Sequence, residues 1–145
     1  MRPVMPDKLD LLAACRGVRL AFDDPVLDAA ADLALLHQQR EQIPHCALRM
    51  IDAERSLLMS TIDTWVHLVI PEPSVGARVH TQTIGQVIDR LAQLTAYIYT
   101  ALAGSSDEVF IESMDFVEEL ATAYTDLVAE LFAGTRRLPT TTTSV

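Results

Sequence analysis

Cysteine is scarce in this chain. Cys15 and Cys46 are too few for a disulfide framework, and no CxxC spacing suggests a zinc or redox site. No apolar run approaches the roughly 18 residues of a membrane-spanning helix, and the start MRPVMPDKLD lacks the apolar segment of a secretory signal. Only five glycines occur, and no segment alternates apolar and polar residues over a strand's length, which argues against a sheet. Basic residues number 11 against 20 acidic ones, a net charge of −9, which argues against nucleic acid and anionic membrane as partners. P-loop and dinucleotide fingerprints are absent. What is plentiful is apolar: half of the 145 residues, with alanine and leucine alone supplying 37. Both are strong helix formers. The composition fits one soluble, cytoplasmic domain of bacterial character, long enough to bury a core.

The chain reads as one short helix and four longer ones. Asp7–Arg16 is a brief amphipathic piece closed by Gly17. Asp23-Asp24-Pro25 starts the next, because Asp caps orphan amides and Pro has none to waste at the first helical position. That helix runs to about Gln42. A longer one spans about Pro44 to Ile70, with Ala47, Ile51, Leu58, Ile62, Trp65 and Val69 inward. Residues 71–82 read as a loop. Thr83-Ile84-Gly85-Gln86 is a capping box opening a helix with the seam Ile84, Ile88, Leu91, Thr95, Ile98, Leu102. Ser105–Glu108 reads as a second box, before a helix with the seam Phe110, Met114, Val117, Ala121, Tyr124, Val128, Leu131. Both seams step by four and three, as in antiparallel bundle helices. The expectation is an all-α, up-and-down four-helix bundle with a short extra N-terminal helix over residues 1–137. Residues 138–145 read as a flexible Thr-rich tail without core-forming residues. The seams and the apolar excess favour a homodimer.

Charge is uneven. From Leu91 to Thr135 there is no Lys or Arg but eight acids, either a solvated face or an interaction face. No metal or cofactor is expected. Di-iron bundles need Glu-x-x-His motifs, which are missing, and Asp63 with His67 supplies only two ligands. Helical pyrophosphohydrolases need an ExxE pair, whereas the chain has only the ExxD of Glu112 and Asp115. Cys15 and Cys46 read as packed thiols. A polar stripe, Asp52, Ser56, Met59, Asp63 and His67, runs along the long helix, with Arg49 and Arg55 three residues either side of Asp52. It is either an exposed ion-pair surface or a site. A second cluster, His80 to Arg90, opens the following helix, where free amides and partial positive charge suit an anion. Gly85 in a first turn costs about 1 kcal/mol relative to Ala, which suits a close approach of ligand or backbone.

The run HTQTIGQVIDRLAQLTAYIY, with IDAERSLLMSTIDTWV before it, resembles a bacterial family of helical proteins known only as a domain of unknown function. Members carry Thr-Glu-Thr-Pro-Gly followed by Ile-Asp-Arg-Leu, matched here by Thr81, Thr83 and Gly85, then Ile88 to Leu91. Ile51-Asp52, Arg55, Ile62-Asp63 and Leu35-Leu36-His37 match further pieces, over roughly residues 27 to 137. The resemblance implies the same helical fold and brings no activity. The chain departs from the pattern at Gln82, where the family has Glu, and at Gln38, Gln39 and Arg40, where acids are expected.

Two functions follow as expectations. One is a homodimeric module binding a small anionic ligand through Thr81, Thr83, Gly85, Asp89 and Arg90. In it Arg90 pairs with Asp63 or Asp52 when unliganded, and Arg137 is inert. The other is a metal-independent enzyme doing acid–base chemistry, with His37, His67 or His80 as the base and Asp63 or Asp89 orienting it. An adaptor using the acidic last helix to dock a basic protein is a third reading.

Overall fold

A computed structural model describes residues 5–18, 23–102 and 104–140. Within them five α-helices form the expected all-α bundle: α1 Lys8–Cys15, α2 Pro25–Arg40, α3 Leu48–Val69, α4 Ile84–Ala101 and α5 Asp107–Ala133. Four of the five helix starts carry a side-chain cap; α3, which follows Ala47, has none. Asp7 Oδ1 accepts from the Asp10 amide at 2.8 Å, and Asp24 Oδ1 accepts from the Val26 and Leu27 amides at 2.8 and 3.2 Å, with Pro25 at the first turn. A 3₁₀ turn, His45–Ala47, leads into α3, so Pro44 and His45 precede the long helix rather than opening it. Ser106, not Ser105, caps α5, its hydroxyl accepting from the Val109 amide. The third helical residue is therefore Val109, and the box anticipated with Glu108 does not form.

α4 is the central element. It packs on all four other helices, whereas α3 packs on α2 and α4, and α5 on α4 and α1. Ile84, Ile88, Leu91, Thr95 and Ile98 are buried as the four–three spacing requires, and each large aliphatic contributes about 1.5–3 kcal/mol by leaving water. On α5 the seam is buried at Val117, Ala121, Tyr124 and Leu131 but only half-buried at Phe110, Met114 and Val128. Tyr124 reaches across the core, its hydroxyl donating to the Pro6 carbonyl at 2.8 Å. Along α3 only Ile62 and Val66 are fully buried. Val66 takes a core place that the sequence pattern did not mark, while Trp65 is half-buried. Cys15 is buried, its thiol pushed up to about 12 by burial, but Cys46 is exposed, so only one of the two is a packed thiol.

Two short strands depart from the sequence reading. β1, Arg78–Val79, lies in the expected loop and pairs in parallel with β2, Arg136–Arg137, placing Arg78 beside Arg136. Two residues are too few to show alternation, so no pattern marked them. Gly134 makes the turn from α5 into β2. Its φ of +79° is open to glycine, and a Cβ there would lie 2.8 Å from Ser74 Oγ. The Ser74 amide donates to the Gly134 carbonyl at 2.9 Å. Beyond β2, Leu138 packs against the core cluster, so the ordered chain continues past 137. Residues 141–145, the remainder of the expected tail, lie outside the described residues.

Candidate functional site

The start of α4 is built as a capping box. Thr83 Oγ1 accepts from the Gln86 amide at 3.2 Å, and Gln86 Oε1 accepts from the Thr83 amide at 2.9 Å. The Gly85 amide instead donates to Asp63 Oδ1 on α3, at 2.7 Å. A Cβ on Gly85 would sit 2.5 Å from the Met59 carbonyl oxygen and 2.8 Å from Asp63 Oδ1, so the residue is glycine because α3 presses against it. Burial raises the pKa of Asp63, opposed by the Gly85 amide and the Thr83 hydroxyl. The anion seat anticipated at this helix N-terminus is thus occupied by the protein's own carboxyl.

One turn further along α4, Asp89 anchors a ladder of charges across three helices. His37 Nε2 on α2 lies 2.8 Å from Asp89 Oδ1. Because an ionised carboxylate only accepts, this nitrogen carries the proton. Arg55 on α3 donates to both oxygens of Asp89, at 3.2 Å from Nε and 2.6 Å from Nη2. Its Nη1 donates to Asp52 Oδ1 at 2.9 Å, and Asp52 also accepts from Arg40 Nε at 3.1 Å. Side-chain exposure rises along the ladder, from 4% at His37 and 11% at Asp89 to 20% at Arg55 and 42% at Asp52. Along the ladder two arginines face two aspartates, so the formal charges of those four groups balance. Burial acts to raise the pKa of Asp89, yet the hydrogen bonds and charges of His37 and Arg55 outweigh it and hold the carboxyl below its usual range. The Arg40 and then the Arg55 hydrogen bonds lower Asp52 likewise. Asp89 in turn holds the Arg55 guanidinium above its ordinary value.

Between α3, the start of α4 and the segment after α5 opens a cleft of about 820 Å³. Ser56, Met59, Asp63 and His67 line it, four of the five members of the polar stripe, joined by Thr83, Gln86 and the two β2 arginines. Arg136 is paired with Glu130 at 3.0 Å. Arg137 is exposed, and no carboxylate among the described residues pairs with it. The bridge holds it in place: the Arg78 amide donates to the Thr135 carbonyl and the His80 amide to the Arg137 carbonyl, at 3.1 and 2.8 Å. A smaller cavity of about 210 Å³ is lined by His37, Arg40, Arg90, Gln93 and Tyr97 among others.

The residues singled out from sequence therefore separate. His37 meets Asp89, one of the two orienting partners anticipated, and Asp63 meets Thr83 and Gly85. His80 Nδ1 accepts from the Gln82 amide at 3.2 Å, a local turn contact, and Thr81 is exposed. His37, Asp63 and His80 thus have three different partners. Arg90 is exposed and donates to Gln93 at 2.9 Å, rather than pairing with Asp63 or Asp52, because both aspartates are engaged elsewhere. Arg49 makes no ion pair with Asp52; Arg40 of α2 takes that place. Arg55 and Arg137 carry more of the geometry than the sequence reading gave them. The i+3 spacing from Asp52 marked Arg55, whereas nothing local marked its contact with Asp89. Among the described residues no three His, Cys, Asp or Glu side chains converge to hold a metal ion, and no helix is long and apolar enough to cross a membrane. Comparison with protein-family models, curated proteins and solved structures returned no match.

Proposed function

We propose that this chain is a homodimeric binding module whose cleft between α3, α4 and β2 takes a small anionic metabolite. The observation that carries the reading is Arg137, an uncommitted cation whose backbone is fixed by strand pairing at the edge of a cleft that sets hydroxyls and the Gln86 amide among Met59, Ile70 and prolines. In an acidic chain such a cation attracts an anion, and Ser56, Ser60, Thr64 and Gln86 supply neutral hydrogen bonds for orientation. Asp63, whose pKa is raised by burial, adds a group able to accept from a ligand hydroxyl. The α4 amide, already taken, plays no direct part. Assembly draws on the outer face of α3, where Met50, Leu57 and Leu68 are 72%, 70% and 73% exposed. The test is NMR titration with inorganic phosphate and short 2-hydroxycarboxylates. Amide shifts at Ser60, Thr64 and His67, lost about tenfold in affinity in Arg137→Ala, or about 1.4 kcal/mol, support it. Shifts that are absent there, or that persist unchanged in Arg137→Ala, refute it. Light scattering should give twice the 16.0 kDa chain mass.

The second reading, acid–base chemistry on a small metabolite, is favoured by one observation: Asp89 orients His37 at 2.8 Å while His37 borders the smaller cavity with Arg40 and Arg90. The same carboxylates should then shift the His37 imidazole resonances and leave the cleft amides untouched.

A further inference from the structure

α5 carries a second apolar seam beside the one it buries. Val109, Ser113, Phe116, Leu120, Ala123 and Leu127 follow steps of four, three, four, three and four. Leu127 is covered and Ser113 and Leu120 are half-covered, but Val109 and Phe116 are 42% and 46% exposed, and Ala123 is exposed. Three residues after Val109, Phe116 and Ala123 come Glu112, Glu119 and Asp126, themselves one heptad apart and all exposed. Lys8 pairs with Glu118 and Arg136 with Glu130, but no basic side chain among the described residues pairs with these three. The start of the helix is fixed rather than frayed, with Phe110 held edge-to-face on Tyr99 of α4 at 6.0 Å between ring centroids.

A 4–3 apolar seam flanked by charge at heptad spacing is how one helix selects another, the flanking charges facing their counterparts on the partner. A second copy of α5 fails this requirement: laid antiparallel it sets Glu112, Glu119 and Asp126 against the same three acids, and in either direction eight acids meet eight. Nor does any helix of this chain carry basic residues at heptad spacing. We propose that this face of α5 receives an amphipathic helix of another protein, one that carries Lys or Arg at heptad spacing beside an apolar stripe. The surface is independent of the cleft and of its ligand.

The test uses fluorescence anisotropy with a synthetic amphipathic helix of about three heptads, leucine on its seam and lysine on its flanks, and a matched peptide with glutamate for lysine. The full chain should bind the lysine peptide at least about tenfold more tightly than the glutamate one, and salt should erode the difference by screening. The triple variant Glu112→Lys, Glu119→Lys, Asp126→Lys should invert the preference. Phe116→Ser should weaken the lysine peptide several-fold with the helical circular dichroism unchanged. Equal binding of both peptides, or a triple variant that still prefers lysine, overturns the proposal. So does Phe116→Ser converting a dimer to a monomer, since a second copy would then cover this face.

Discussion

Asp63 and Asp89 are two aspartates at helix–helix contacts of α4, and their surroundings drive them in opposite directions. Asp63 reaches α4 from α3 and meets an amide and a hydroxyl, neutral donors that do not make up for the water it has lost, so its pKa is raised. Asp89 leaves α4 for a forked arginine and a histidine, and its pKa is lowered although burial acts against it. The same side chain is biased toward its protonated form in one place and toward its ionised form in the other. What decides is whether a full positive charge or only an N–H dipole arrives to replace the solvent.

The largest effect should come from withdrawing that charge. Arg55→Met leaves Asp89 buried beside a histidine alone and should destabilise the fold by about 3–5 kcal/mol, as removal of one partner of a buried pair generally does. Urea unfolding measures it, and a loss below about 1 kcal/mol would mean that the pair behaves as a surface one. Replacing Asp89 by Leu in the same chain should restore much of the loss, since no unpaired charge then remains.

Gly85→Ala comes next. The added methyl meets the Met59 carbonyl at 2.5 Å, a backbone atom that cannot swing away, so α3 and α4 must part at about 1–3 kcal/mol. The Gly85–Asp63 hydrogen bond should lengthen with it, visible as faster hydrogen exchange at the Gly85 amide.

The two carboxyls should also respond to pH with opposite signs. Asp89 has a lowered folded-state pKa, so its contribution is complete above the unfolded value near 3.8 and is lost as pH falls through the lower folded value. The deficit of Asp89→Asn should be full at neutral pH and shrink in acid. Asp63 has a raised folded-state pKa, so its contribution is present below 3.8 and is lost as pH rises through the higher folded value. At pH 7 the ionised form is therefore a cost, and Asp63→Asn, whose amide oxygen still accepts from Gly85, should raise the melting temperature slightly. Thermal melts of both variants from pH 3 to 7, read against wild type, give the comparison, and parallel curves would dissolve it. Smallest of all, Arg137→Ala should move stability by less than about 0.5 kcal/mol, while reducing anion binding as stated above.

Local chemistry made the helices legible. Asp24-Pro25, the Thr83–Gln86 box and Gly134 each mark a boundary through backbone groups within a few residues. The stripe on α3 was legible too, because steps of three and four place Ser56, Met59, Asp63 and His67 along one side, though not which neighbour they face. Contacts made at a distance were not. Arg55 and Asp89 are 34 residues apart, and their pairing depends on how α3 and α4 cross. Gly85 announced a close approach, but not whether a ligand or a helix makes it, since that depends on where α3 lies. Cys15 and Cys46 look alike in sequence, and differ only because one faces the core and the other the solvent ahead of α3.

The parallel bridge between β1 and β2 has a consequence for the order in which the molecule comes into being. It ties the segment before α4 to the residues after α5, so it must close a loop containing two whole helices. The entropy of that closure is offset only once α4 and α5 are already docked. The placing of Arg137 at the edge of the cleft therefore depends on the docking of α4 and α5. The cleft is thus the part of the molecule that a chain stopped at Gly134 would alter most: it would keep the side formed by α3 and α4 and lose the side formed by Arg136 to Thr140.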